Sequence, residues 1–101
     1  MAETLKQEAK RLLADVPEEY VFRCRNGHIL RNLKELDDEF KTMAEENYVF
    51  HANAEKNDFT NWVRDIIKDE RLAKDLQKAP NQAQAAKLVA SRISVLSKRL
   101  V

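Results

Sequence analysis

The chain has 101 residues, of which 44% are hydrophobic and 35% are charged, and it contains one Gly and two Pro. A chain of this length forms one domain, and so few helix-breaking residues indicate a mainly helical fold. The formal net charge of +1 excludes a strong overall field toward nucleic acid or anionic lipid, and the single Cys excludes an intrachain disulfide. No apolar run has the length of a membrane span and the first residues lack a signal-peptide pattern, so we expect a cytoplasmic protein.

The N-terminal segment, residues 1–16, is predicted to be helical over about residues 3–15. Its apolar residues recur at helical spacing, and Pro17 disfavours helical geometry in the residue before it. The residues that form this apolar face are Leu5, Ala9, Leu12, Leu13 and Val16.

A β-hairpin is predicted over residues 20–31. The β-prone run from Tyr20 to Cys24 is followed by Asn26-Gly27, a strong signal for a type I′ turn with positive φ at both central residues. In that register Arg25 faces His28 and Cys24 faces Ile29. A two-stranded hairpin is marginal alone, so we expect it to pack on the central helices.

Four helices are predicted in the middle of the chain. Asn32 is a suitable N-cap for a helix that ends near residue 44, and Asn57 or Asp58 and then Asp69 are suitable caps for two later helices. Residues 45–52 are ambiguous between strand and helix, and the acidic residues that lead into them favour a short helix. The helix after Asn57 carries a faultless apolar stripe of Phe59, Trp62, Val63, Ile66 and Ile67.

The last segment, residues 81–101, is predicted to be an amphipathic helix over about residues 82–100. Its apolar residues step by three and four along a heptad-like seam. A seam of this length is more often core than a coiled coil, but it also supports the hypothesis of a homodimer through residues 82–100. The seam consists of Ala86, Val89, Ile93, Leu96 and Leu100.

Together these elements predict a single domain over residues 1–101, mainly α with one small β-hairpin. We expect a compact helical domain of about four to six helices.

The segment from His51 to Trp62 combines the only Trp with one of the two His and several Asn. One interpretation is structural, with helix caps, core aromatics and side chains that bind loop backbone. The other is a pocket that offers polar groups to a peptide terminus or a small polar ligand. On the second interpretation the candidate binding residues are His51, Asn53, Asn57, Asp58 and Trp62.

The sequence gives little support for a catalytic site or a metal site. One Gly cannot build a Gly-rich phosphate loop, and no catalytic-triad order, zincin helix or paired-Cys zinc signature is present. His51 and Asp58 alone supply too few metal ligands, and Cys24 with His28 lacks an orienting third group. We therefore expect no enzyme activity, no metal and no cofactor.

Basic residues suggest an alternative, association with nucleic acid. Residues 79–101 contain cations and no acidic residue, and the hairpin carries a smaller basic group. The candidate residues for this alternative are Arg23, Arg25, Arg31, Lys87, Arg92, Lys98 and Arg99.

Residues 22–79 resemble a small, functionally uncharacterised domain family of archaea and some bacteria. The resemblance lies in Asn26-Gly27 before Ile29-Leu30, in Leu33-x-x-Leu36 and in Asp69-x-x-Leu72-Ala73. Its most specific part is His51-x-Asn53-x-x-x-Asn57-Asp58-Phe59-x-x-Trp62-Val63. Such domains occur alone and joined to others, which implies a binding or adaptor role and no established activity.

The preferred functional hypothesis is a non-enzymatic protein-interaction module that binds an unidentified partner through the loop from His51 to Asp58 and the Trp62 end of the helix. Nucleic-acid association is the first alternative. Small-ligand sensing at the His51 and Trp62 region is the second.

Overall fold

A computed structural model describes residues 2–101, and over them the chain is mainly helical with one two-stranded antiparallel hairpin. Helix α1 is followed by a 3₁₀ turn, the hairpin, and helices α2 to α6, which confirms the predicted fold class. The bounds are α1 Leu5–Leu13, the 3₁₀ turn Glu18–Tyr20, β1 Phe22–Arg23, β2 Ile29–Leu30, α2 Leu33–Thr42, α3 Glu45–His51, α4 Asp58–Trp62, a π-helical segment Val63–Ile67, α5 Glu70–Lys78 and α6 Gln82–Lys98.

Besides Thr4, which caps α1, short polar side chains begin four of these helices, because each accepts a hydrogen bond from the backbone N–H three residues further on. The predicted caps before α2, α4 and α5 are confirmed, and α3 has the predicted short helical form. The capping side chains are Asn32, Asn57, Asp69 and Asn81, with N···O distances of 2.8, 3.0, 3.1 and 2.9 Å.

The hairpin differs from its prediction in register and in extent. Phe22 lies opposite Leu30 and Arg23 opposite Ile29, so the predicted pairing of Cys24 with Ile29 is wrong by one residue. Tyr20, predicted to begin the first strand, belongs to the 3₁₀ turn.

The register follows from a three-residue loop, not the two-residue type I′ turn predicted. The Cys24 N–H donates to the His28 carbonyl at 2.9 Å, and the Gly27 N–H donates to the Cys24 carbonyl at 2.9 Å. Within this loop only Gly27 has positive φ, at 93°. Asn26 stays outside the left-handed region, and its side chain accepts from the His28 N–H and donates to Glu39 at 2.8 Å.

An aromatic cluster in the core joins the hairpin to the central helices, as predicted. Phe22 of β1 stacks on Phe59 of α4 with ring centroids 5.0 Å apart. Phe59 in turn meets Phe40 of α2 edge to face at 4.8 Å. Trp62 is buried beside Phe22, and its Nε1 donates to the Tyr20 carbonyl at 2.8 Å. This bond fixes the chain just before β1.

The heptad-like seam of α6 faces the core of its own chain. Val89 and Leu96 are fully buried, and Ala86, Ile93 and Leu100 pack against the same core from partly buried positions. The seam therefore packs as core within this chain.

The helix that begins at Asp58 changes form at Val63, where the predicted regular α-helix is replaced by a π-helical segment. It ends at Lys68, which has a left-handed backbone with φ of 70°. The N–H groups of Lys68 and Asp69 both donate to the Val63 carbonyl, at 2.8 and 3.0 Å. No helix within residues 2–101 is long and apolar enough to cross a membrane.

Candidate functional site

His51, the last residue of α3, is buried and 5% exposed. Its Nε2 lies 3.0 Å from the backbone nitrogen of Arg25, and its Nδ1 lies 3.0 Å from Oδ2 of Asp58. Because a backbone N–H can only donate, Nε2 accepts, and Nδ1 carries the proton that is donated to Asp58. The imidazole is thus a neutral link between the hairpin and α4, and its ring contacts Phe22 and Phe59.

Asn53 uses its side-chain amide to bind nearby backbone. Its Nδ2 donates to the Val49 carbonyl at 2.9 Å, near the C-terminal end of α3, where carbonyls lack helical partners. Its Oδ1 accepts from the N–H groups of Glu55 and Lys56 at 3.0 and 3.3 Å. The Asn53 amide therefore shapes the loop.

Asn57 and Trp62 are structural in the same sense, since Asn57 caps α4 and Trp62 is buried against the hairpin. Phe22 contacts both His51 and Trp62, with ring centroids 5.1 and 5.8 Å away, and lies between them in the core. The structure does not bring His51 and Trp62 together at a surface.

Asp58 is partly buried, and its Oδ2 accepts from both His51 Nδ1 and Lys56 Nζ at 3.0 Å. Burial on its own raises the pKa of this carboxyl group, but the hydrogen bonds and charges of His51 and Lys56 together outweigh burial and lower its pKa. Asp58 is therefore held as a carboxylate at neutral pH.

Phe50 is the exposed aromatic side chain of this region, with 45% of its surface accessible. The Arg25 guanidinium carbon and the Lys56 ammonium nitrogen each lie 4.7 Å from the centre of its ring, within range of a cation–π interaction. We call Arg25, Phe50 and Lys56 the Phe50 cluster.

The candidate binding residues named from the sequence did not include Phe50 or Lys56, although Lys56 lies within the predicted 51–58 binding loop. The exposure of Phe50 could have been inferred from helical spacing. Tyr48 and His51 share one face of α3, which is buried, so Phe50 must lie outside that face.

A cleft of about 550 Å³ lies beside the 51–58 loop. Its lining includes Asn53, Lys56 and Asn57 of the loop and Gln77 and Pro80 further along the chain. His51 and Trp62 are not among its lining residues.

Three of the seven candidate cations for nucleic acid are paired within the chain. Arg92 binds Asp69 at 2.8 Å, Arg99 binds Glu8 at 2.9 Å, and Arg31 approaches Glu35 at 3.8 Å. Within residues 2–101, no ion pair involves the remaining four candidates, which are Arg23, Arg25, Lys87 and Lys98.

Arg92 and Arg99 line a cleft of about 880 Å³ between α1, α5 and α6, to which no hairpin residue contributes. Both acidic and basic side chains line this cleft, and another of its arginines, Arg64, is paired with Asp65 at 2.9 Å. The structure thus keeps the cations of the hairpin apart from Arg92 of α6 and from Arg99, which follows it.

Cys24 and His28 do not form a nucleophile–base pair. Burial, with a smaller contribution from Glu39, raises the pKa of the Cys24 thiol to about 12. His28 instead binds Glu39, with 2.8 Å between Nδ1 and Oε1. Among residues 2–101, no group of three or more His, Cys, Asp and Glu side chains is placed to hold a metal ion.

The chain matches no protein-family model, and no curated protein or solved structure matches it at a significant level. The resemblance of residues 22–79 to an uncharacterised domain family stays a prediction.

Proposed function

We propose that this protein is a non-enzymatic protein-interaction module and that it binds its partner through the Phe50 cluster. The observation that carries the proposal is the half-exposed Phe50 ring, with the cationic ends of Arg25 and Lys56 each 4.7 Å from its centre. Aromatic and Arg side chains account for a large share of the binding energy at protein interfaces. The cluster presents both at one place.

The chemistry of the cluster indicates the kind of partner. A protein segment with carboxylates and an adjacent apolar side chain would pair its acids with Arg25 and Lys56 and pack its apolar group on the ring of Phe50. Opposite charges would also orient the two proteins as they approach.

The cluster is held by a well-bonded scaffold, which lowers the entropy lost on binding. His51 binds the backbone of Arg25, and Asn53 binds the backbone of Lys56. In this proposal His51 and Asn53 hold the residues of the Phe50 cluster in place. The sequence hypothesis instead had His51 and Trp62 contact the partner directly.

Affinity capture from a lysate of the source cells tests the proposal. Phe50→Ala should lose a protein that the unmodified chain retains, while Tyr20→Ala, which removes another exposed aromatic ring, should retain it. Thermal melting of both variants checks that each is folded. Equal recovery of the same proteins by all three chains would rule out the Phe50 cluster as the binding surface.

One observation favours nucleic acid as a second candidate function. Arg25 makes no ion pair within the described chain and lies beside an exposed aromatic ring, a combination that single-stranded nucleic acid binds by stacking and phosphate contacts. A gel shift with single-stranded oligonucleotides at low and high salt tests it. Binding should weaken steeply with salt and with Arg25→Gln, and no shift at low salt would exclude it.

A further inference from the structure

Both cations of the Phe50 cluster are tied to one buried side chain, His51. Arg25 is held through its backbone N–H, which donates to Nε2 at 3.0 Å. Lys56 is held through Asp58, whose Oδ2 accepts from His51 Nδ1 and from Lys56 Nζ, each at 3.0 Å. The ring of His51 also meets that of Phe50 edge to face, with centroids 5.0 Å apart. One imidazole therefore contacts, directly or through one carboxylate, every member of the cluster.

The two ring nitrogens respond differently to a proton. Nδ1 already donates to Asp58, and it donates to the same oxygen when the ring is charged. Nε2 must be unprotonated to accept from Arg25, since a protonated imidazole carries N–H groups at both nitrogens and has no acceptor. A proton on Nε2 would place the Nε2–H group against the backbone N–H of Arg25, and the hydrogen bond to the hairpin would be lost.

We propose that His51 is the positioning residue of the Phe50 cluster and that protonation of its Nε2 releases Arg25 from the Phe50 ring. The surface is assembled while Nε2 is unprotonated and accepts from Arg25, and a proton on Nε2 opens it. The effect on partner binding rests on the proposed function, whereas the opening of the hairpin contact does not.

Few other charged groups face the imidazole. Asp58 approaches from the start of α4, Lys56 from the loop and Arg25 from the hairpin, while the rings of Phe22 and Phe59 cover the rest. Asp58 stays bound to Nδ1 in both states, so the change is confined to Nε2.

His28, the other histidine, lies in the same hairpin as Arg25. Its effect on the Arg25 amide must therefore be separated from that of His51. His28 binds the buried carboxylate of Glu39, and a proton on His28 would strengthen that pair. Its response to acid is thus opposite in sign to the one proposed for His51. The experiment therefore uses His28→Gln as its parent chain.

Amide hydrogen exchange followed by NMR tests the proposal without any partner. In His28→Gln, the protection factor of the Arg25 amide is followed from about pH 7.5 to about pH 5.5. It should fall about tenfold as Nε2 takes up a proton, the effect of one lost hydrogen bond. The Ala73 amide, bound to the Asp69 carbonyl at 3.0 Å within the chain, should keep its protection and serves as the reference.

A second variant separates positioning from simple packing. In His28→Gln with His51→Gln, the Gln carbonyl oxygen can accept from Arg25 at either pH, so the pH response of Arg25 should vanish. If this double variant does not fold, the ring ¹⁵N signals of His51 in His28→Gln replace it, and their midpoint must coincide with that of the Arg25 amide.

Constant Arg25 protection across this range, or a response that persists in His51→Gln, would overturn the proposal. Because no partner enters the measurement, those results leave the Phe50-dependent capture test unaffected. Conversely, a failed capture would count against the proposed function and not against the role of His51.

Discussion

The guanidinium group of Arg92 in α6 forms a bidentate ion pair with the carboxylate of Asp69, with distances of 2.8 and 3.2 Å. The two side chains are only 11% and 1% exposed. Asp69 also caps α5 through the Leu72 N–H. One carboxylate therefore joins the start of α5 to the middle of α6.

Arg92→Ala should lower the free energy of unfolding by about 3–5 kcal/mol, because it leaves the buried Asp69 carboxylate without its counter-ion. Urea denaturation measures the loss. The matched control is Lys87→Ala, an exposed cation on the same helix, which should change stability by less than about 0.5 kcal/mol. Similar values for the two variants would show that the pair does not hold α5 and α6 together.

Asn53→Ala should lower the free energy of unfolding by about 1 kcal/mol, since backbone groups of α3 and the loop lose their partner. Glu55→Ala removes an exposed side chain of the same loop and should be nearly neutral. Chemical denaturation compares the two. If Asn53→Ala left stability unchanged but abolished capture of a partner, Asn53 would be a binding residue and not a loop-forming one.

Asp58 should make stability depend on pH in the acidic range. Its pKa is lower in the folded chain than the ordinary value, so its contribution is complete above about pH 4 and is lost as the pH falls through the folded pKa. Thermal melting of the unmodified chain and Asp58→Asn from about pH 6 to about pH 2.5 measures it. The difference between the two melting temperatures should shrink toward acid, and a constant difference would contradict the expectation.

Cys24 should resist alkylation in the folded protein. Its thiol is buried and its pKa is raised to about 12, so almost no thiolate is present at neutral or mildly alkaline pH. Mass spectrometry after iodoacetamide treatment should show slow labelling of the native chain and rapid labelling in urea. Equal rates in the two conditions would mean that the Cys24 environment is open to solvent.

Local patterns predicted most of the secondary structure. The sequence predicts caps at Asn32, at Asn57 or Asp58, and at Asp69, because a short polar side chain satisfies N–H groups within its own first turn. The stripe beginning at Phe59 was recognised for the same kind of reason, since helical spacing places its members on one face. The switch to π-helical geometry at Val63 has no comparable local signal.

The register of the hairpin could not be predicted from local sequence patterns. Asn26-Gly27 correctly marked the turn, but in the folded chain the Asn26 side chain also donates to Glu39 of α2. That contact forms only when the hairpin packs on the helix, so the register could not follow from the dipeptide alone.

The sequence by itself determined a mainly helical domain with its turn at Gly27, because periodicity, capping and turn geometry act between residues close in the chain. Only the tertiary structure decided what His51 does and where Phe50 lies. The bond from Arg25 to His51 joins residues 26 positions apart, and the contact that sets Arg25 on Phe50 is similarly non-local. Such contacts depend on how the hairpin, α3 and α4 pack together, and no spacing in the sequence encodes that packing.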